Sequence, residues 1–264
     1  MNNPPSIVYC SIIASALITA ACSNEASLHP TTAVSLKSVT SHAAQESPKT
    51  IKIQTDGITY TIPLSSPSTA PYNYVVRTAA GTIWAPAPPM TLVKGTQKSP
   101  VYMPEQPFTL YRSESNGTSL TKEHSQKLLS LPLNDGAAKV ILNRLIGLQD
   151  HVIIHTASSF SDGSQPLTEE AQIIKIDDSS SSSLITEFHS TGGKLYSYGV
   201  DEHRQYYAGL SEKPGNADGS YTREVLLYDE QNNRIQKIKD YQLNGQILTI
   251  HDQDKKITFK IIPA

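Results

Sequence analysis

Ile51-Lys-Ile-Gln-Thr-Asp56-Gly57-Ile-Thr-Tyr-Thr-Ile62 is the stretch that decides the fold class. Apolar and polar residues alternate on both sides of Asp56-Gly57, a dipeptide that readily takes the positive φ of a two-residue type I′ turn. Folding the segment about that turn sets Ile53 opposite Tyr60 and Ile51 opposite Ile62. All four side chains then share one face of the ribbon, so the expectation is a hairpin with one buried side.

Moving outward from this hairpin, the C-terminal half repeats the same grammar. Short runs rich in β-branched and aromatic residues recur between turn clusters: His151 to Thr156, Gln172 to Ile176, Leu195 to Val200, Gln205 to Leu210 and Glu224 to Tyr228. Tyr241-Gln-Leu-Asn244-Gly245-Gln-Ile-Leu is a second hairpin signal, and Asp252 to Lys256 reads as a turn into Ile257-Thr-Phe-Lys-Ile261. Ser65 to Pro107 is rich in proline, so strands there must be short or lie at edges. Leu120, Lys127, Leu128 and Leu131 before Pro132 predict one short helix within Ser119 to Leu131, and Gly136 to Gly147 fits either helix or strand. The fold class is all-β over 51–264, built mainly from short antiparallel strands and hairpins.

Displacing the chain against itself by 52 residues lays Gly147 on Gly199, His151 on His203, Ser159 on Ser211, Gly163 on Gly215 and Asp177 on Asp229. Ile173-Ile-Lys-Ile-Asp177 then overlies Val225-Leu-Leu-Tyr-Asp229, which predicts repeats near 144–188 and 196–240. A four-stranded unit of this length is similar to a β-propeller blade, which implies a small propeller-like fold; a β-sandwich or an open barrel or meander are the alternatives. The likeness of Ile58-Thr-Tyr-Thr-Ile-Pro63 to Ile257-Thr-Phe-Lys-Ile-Ile-Pro263 implies either that the first hairpin joins the last sheet or that two strands share a composition.

The N-terminus is of another kind. Ser6 to Ala21 carries no charge and is dominated by Ile, Val, Leu, Ala and Ser, too short a run to span a bilayer. It ends Leu17-Ile18-Thr19-Ala20-Ala21-Cys22-Ser23-Asn24, which resembles the lipobox of bacterial lipoproteins, with Thr19 where Leu is usual and no Lys or Arg before Lys37. The resemblance implies that 1–21 is a signal peptide, that Cys22 carries the lipid, and that Ser23 directs the protein to the outer membrane. Residues 22–50 are mostly Ser, Thr, Ala, His and Pro and cannot bury a core, so they read as a flexible tether. The membrane, through this lipid anchor, is one expected partner.

A formal net charge of −2 with scattered Lys and Arg gives no basic footprint, which argues against nucleic acid as a partner. The two cysteines, Cys10 and Cys22, fall in the signal and at the lipidation position, so the fold is expected to hold without a disulfide.

No pattern in the folded part points to a catalytic residue, a metal site or a cofactor. No G-x-S-x-G elbow, Walker loop, dinucleotide fingerprint or Cys-based zinc site occurs. His151 and His155 have helical ligand spacing but sit in a strand, where four residues separate them by about 13 Å, too far to share one ion. Asn216-Ala-Asp218-Gly219-Ser220 resembles a calcium loop, but Pro214 and Val225 occupy its first and twelfth positions. Asp252 and Asp254 read as a solvated turn, and Asp177 to Ser183 as a polar loop. The expected function is that of a membrane-anchored envelope protein binding another protein as an accessory or assembly factor, through loops such as Ser158 to Thr168 and Glu212 to Ser220. The alternative is a glycan-binding protein or hydrolase, with Trp84, Tyr196, Tyr198, Tyr206 and Tyr207 stacking on sugar rings.

Overall fold

The computed structural model describes residues 49–96, 99–114, 117–160, 168–176, 182–189, 194–214, 221–252 and 254–263. Cys22, the tether, and most of the predicted loops at Ser158 to Thr168, Asp177 to Ser183 and Glu212 to Ser220 lie outside the described residues. Within them no helix is long and apolar enough to cross a membrane.

The first hairpin is β1 (Thr50–Thr55) and β2 (Ile58–Pro63). Its register pairs Ile51 with Ile62 and Ile53 with Tyr60, as the alternation requires. Asp56 and Gly57 take φ of +50° and +75°. A meander follows, of β3 (Tyr74–Thr78), β4 (Gly81–Ala85), β7 (Thr109–Ser113) and β8 (Gln126–Ser130), interrupted by the separate hairpin β5 (Met90–Thr96) and β6 (Ser99–Pro104). A five-stranded sheet comprises β9 (Asn134–Asp135), β10 (Ala138–Gly147), β11 (His151–Ser159), β12 (Thr168–Ile176) and β13 (Ser182–His189). The last sheet has seven strands: β14 (Lys194–Val200), β15 (Tyr206–Pro214), β16 (Tyr221–Asp229), β17 (Arg234–Ile238), β18 (Tyr241–Asn244), β19 (Ile247–Asp252) and β20 (Lys255–Pro263). Among the described residues every strand pairing is antiparallel, and the sheets curl into half-barrels.

Alternation along each strand distributes the apolar residues between successive layers. Tyr60 and Ile62 of the first hairpin pack on Val75, Trp84 and Leu120 at one face of the four-stranded sheet. Its other face sends Ile83, Ala85, Phe108 and Leu110 against Leu142, Val152, Ile154 and Ile174 of the five-stranded sheet. That sheet is covered again on its far side, where Ile146, Ile153, Ala171 and Ile173 meet Tyr198, Tyr207 and Tyr228. Being covered on both faces, β11 is buried along its whole length. Beyond it, the seven-stranded sheet curls so that Ala208, Leu210, Val225 and Leu227 close on Leu248, Ile250 and Phe259.

The four-, five- and seven-stranded sheets thus stack face to face, as propeller blades do. They are not separate blades, because β20 pairs along β14 from Ser197↔Pro263 to Val200↔Lys260 and brings β19 and β18 into one sheet. The architecture is therefore all-β with curled half-barrel sheets, the open barrel or meander of the alternatives. Two glycines matched by the 52-residue displacement mark close approaches. A Cβ on Gly147 would stand 2.2 Å from the Arg77 carbonyl oxygen, and one on Gly199 would stand 2.7 Å from Phe259 Cβ.

One local expectation is corrected and two are resolved. Ser119 to Leu131 is not a helix: a 3-10 turn over Lys122–His124 leads into β8. A helix would put Leu120 and Leu131 on one face, but they enter cores on opposite sides of the four-stranded sheet. The first hairpin does not join the last sheet; among the described residues β1 and β2 form their own ribbon, with a single bridge at Thr61↔Ser119, so the likeness to the last strand is one of composition. The second hairpin forms as expected, with its turn centred on Gly245 and Gln246 and Gly245 at φ +61°. That register pairs Tyr241 with the buried Ile250 and sets the exposed Leu243 beside the buried Leu248, whereas a turn one residue earlier would set Leu243 against Gln246.

Candidate functional site

One strand from each of the three larger sheets, β3, β10 and β14, lines one trough of about 640 Å³. It is reached from the turn of the first hairpin at Thr55 and from the last strand at Ile262. A volume of this size falls in the range of small-ligand sites, roughly 300–1,000 Å³.

A β-bulge shapes its floor. Leu142 pairs with Thr156 and Arg144 with His155, so Asn143 is the extra residue. The bulge returns Leu142 and Leu145, three residues apart, to the same core and turns Arg144 toward the seven-stranded sheet. The Arg144 guanidinium donates to the Tyr198 hydroxyl and lies 5.0 Å from the centre of its ring. Tyr74 on the facing strand donates to the Leu142 carbonyl oxygen at 2.6 Å. Burial pushes both tyrosines above the ordinary phenol range, with the positive Arg144 opposing the shift, so both stay neutral hydroxyls. Arg204, also on the lining, pairs with Asp56 at the tip of the first hairpin.

Behind the floor runs a buried aromatic seam. His155 Nε2 is hydrogen-bonded to the Tyr207 hydroxyl at 2.7 Å, and its ring meets Tyr198 edge-on at 5.1 Å. Burial, reinforced by the charge of Arg144, pushes the His155 pKa down to about 3, so the imidazole is neutral at physiological pH. Tyr207 is raised by burial and by Tyr198.

His151, two turns of the pleat away on the same face of β11, is held separately. Its Nδ1 is 2.6 Å from Glu230 Oε1, and the Glu230 carboxylate also accepts the backbone N–H groups of Asp150 at 2.8 Å and Gln149 at 3.1 Å. The carboxylate thereby closes the turn between β10 and β11. The His151 Nε2 is buried without a hydrogen-bond partner and its ring lies edge-on to Tyr228, so this His–carboxylate pair presents no open nitrogen to a substrate. His203 meets that turn through its backbone carbonyl, which accepts from the Gln149 side chain at 3.2 Å. Among the described residues no group of three or more His, Cys, Asp or Glu side chains is placed to hold a metal ion.

The residues considered for sugar stacking separate. Trp84 is fully buried, with its indole N–H shared between Ser113 Oγ at 3.1 Å and Ser125 Oγ at 3.2 Å. Tyr207 is equally enclosed, and the Tyr196 side chain lies outside what is described. Tyr206 accepts Lys255 Nζ at 3.1 Å beside a second hollow of about 440 Å³, and Tyr198 lines the trough. Asp252 binds Arg234 at 3.0 Å in an exposed turn. Sequence reasoning missed Arg144, Asn143 and Tyr74. The available signal was Asn143-Arg144 interrupting the apolar run Val140 to Gly147, the same irregularity that made that run fit either helix or strand.

No family model matches the chain, and no curated protein matches it.

Proposed function

We propose that this protein is a lipid-anchored component of the bacterial cell envelope, held at the outer membrane through Cys22. In this reading the β domain binds a protein partner as a non-enzymatic accessory or assembly factor. The observation supporting the binding role is the hairpin of β5 and β6. Among the described residues its strands pair only with each other, and Leu92 and Val93 stand 55% and 37% exposed on it. Two adjacent apolar side chains at a bulge, on a ribbon whose outer edges keep unpaired backbone groups, suit a partner that covers them. The ribbon is fastened at its base by the Glu105 N–H donating to the Pro89 carbonyl oxygen at 2.9 Å and by Thr91 bonding Glu105. The anchor rests on the segment Leu17 to Asn24. The alternative of glycan binding or hydrolysis has less support, since Trp84 and Tyr207 are enclosed.

The test is affinity isolation of the tagged full chain from membranes of its own bacterium, with Cys22→Ala and Leu92→Lys beside the wild type. The expected result is one stoichiometric protein partner with the wild type, loss of that partner with Leu92→Lys, and release of the chain from membranes with Cys22→Ala. A partner retained at full yield by Leu92→Lys would refute the hairpin as its contact. Membrane retention of Cys22→Ala would refute the lipid anchor.

A further inference from the structure

The geometry points to a carboxylate-binding site in the trough, with Arg144 as its anchor and an aliphatic or aromatic monocarboxylate as the ligand class. Arg144 is half-buried on the floor, and among the described residues no carboxylate is paired with it. Its polar contact is the Tyr198 hydroxyl, which engages one of the five N–H donors of a guanidinium. The titratable side chains around it, Tyr198, Tyr74 and His155, are neutral. A partly desolvated cation with uncharged neighbours is an unmet electrostatic demand, and a carboxylate matches the planar donor fork of arginine.

The walls specify the rest of the ligand. Val75, Leu145, Val200 and Ile262 line the trough, and Ile262 is 42% exposed, so an apolar body attached to the carboxylate would be covered there. Asn143, exposed at the bulge, adds an amide beside the anchor. Arg204 does not compete for the anion, because Asp56 already neutralises it. This site is independent of the β5–β6 hairpin, and either can fail without the other.

The experiment uses the full chain in lipid nanodiscs, with empty nanodiscs as the blank, titrated with 3-phenylpropionate by calorimetry and by saturation-transfer NMR. The acid is expected to bind at one site, with the neutral 3-phenylpropanol and inorganic phosphate each at least about tenfold weaker. Arg144→Gln is expected to weaken the acid at least about tenfold, as loss of a charge-assisted pair requires. Arg144→Lys keeps the charge without the fork and should fall between the two; it decides the matter if Arg144→Gln does not fold. Equal binding of acid and alcohol, phosphate binding as tightly as the acid, or wild-type affinity in the Arg144 variants would overturn the proposal.

Discussion

Acidification should destabilise this domain through His155 by an amount the structure sets. The folded pKa, about 3, lies below the unfolded value of about 6.5. Between those values the unfolded chain binds the extra proton, so stability rises with pH. The contribution of His155 is fully present above about pH 6.5 and is progressively lost as pH falls toward 3. At pH 5 the folded imidazole is still neutral, so the penalty is fixed by protonation of the unfolded chain, about 2 kcal/mol relative to pH 7. The side chain is 3% exposed, so solvent screening does not dilute the effect. Other groups titrate over the same range, and His155→Gln removes one titration while keeping a hydrogen-bonding group near Tyr207. Urea unfolding of both proteins at pH 7 and pH 5 isolates the term. The wild type should lose about 2 kcal/mol more than the variant between the two values. Equal losses would refute the reasoning.

Two further outcomes concern packing. Gly147→Ala places a methyl group 2.2 Å from the Arg77 carbonyl oxygen and should lower stability by about 1–3 kcal/mol or more in urea unfolding. A stability within 0.5 kcal/mol of wild type would mean that β3 and β10 are not pressed together there. Trp84 is the one tryptophan of the sequence and is fully buried, so native emission should be blue-shifted and move to the red on unfolding. Trp84→Phe should cost about 1–3 kcal/mol, because Ser113 and Ser125 lose a buried donor and a cavity opens beside Tyr60 and Leu120.

Local alternation carried much of the fold, and non-local pairing hid the rest. The first hairpin was legible down to its register because Asp56-Gly57 fixes the turn and the apolar residues fix the face. The second was legible as a hairpin, and its register follows the packing of Tyr241 beside the buried Leu248 and Ile250. Ser119 to Leu131 misled because its leucines serve two different cores, information that resides in the facing layers. The trough escaped detection for a related reason. Tyr74, Arg144 and Tyr198 come from three separate strands, and the bulge that aims Arg144 looks in sequence like a lapse in periodicity.

The central claim, that this β domain presents an exposed hairpin to a protein partner, is tested most directly by crosslinking in living cells. A photoreactive residue would replace Leu92 on the hairpin or, as a control, Gln231, which is exposed in the turn between β16 and β17. The account predicts a single crosslinked protein product from position 92 and none from position 231. The same product from both positions, or none from position 92, would contradict it.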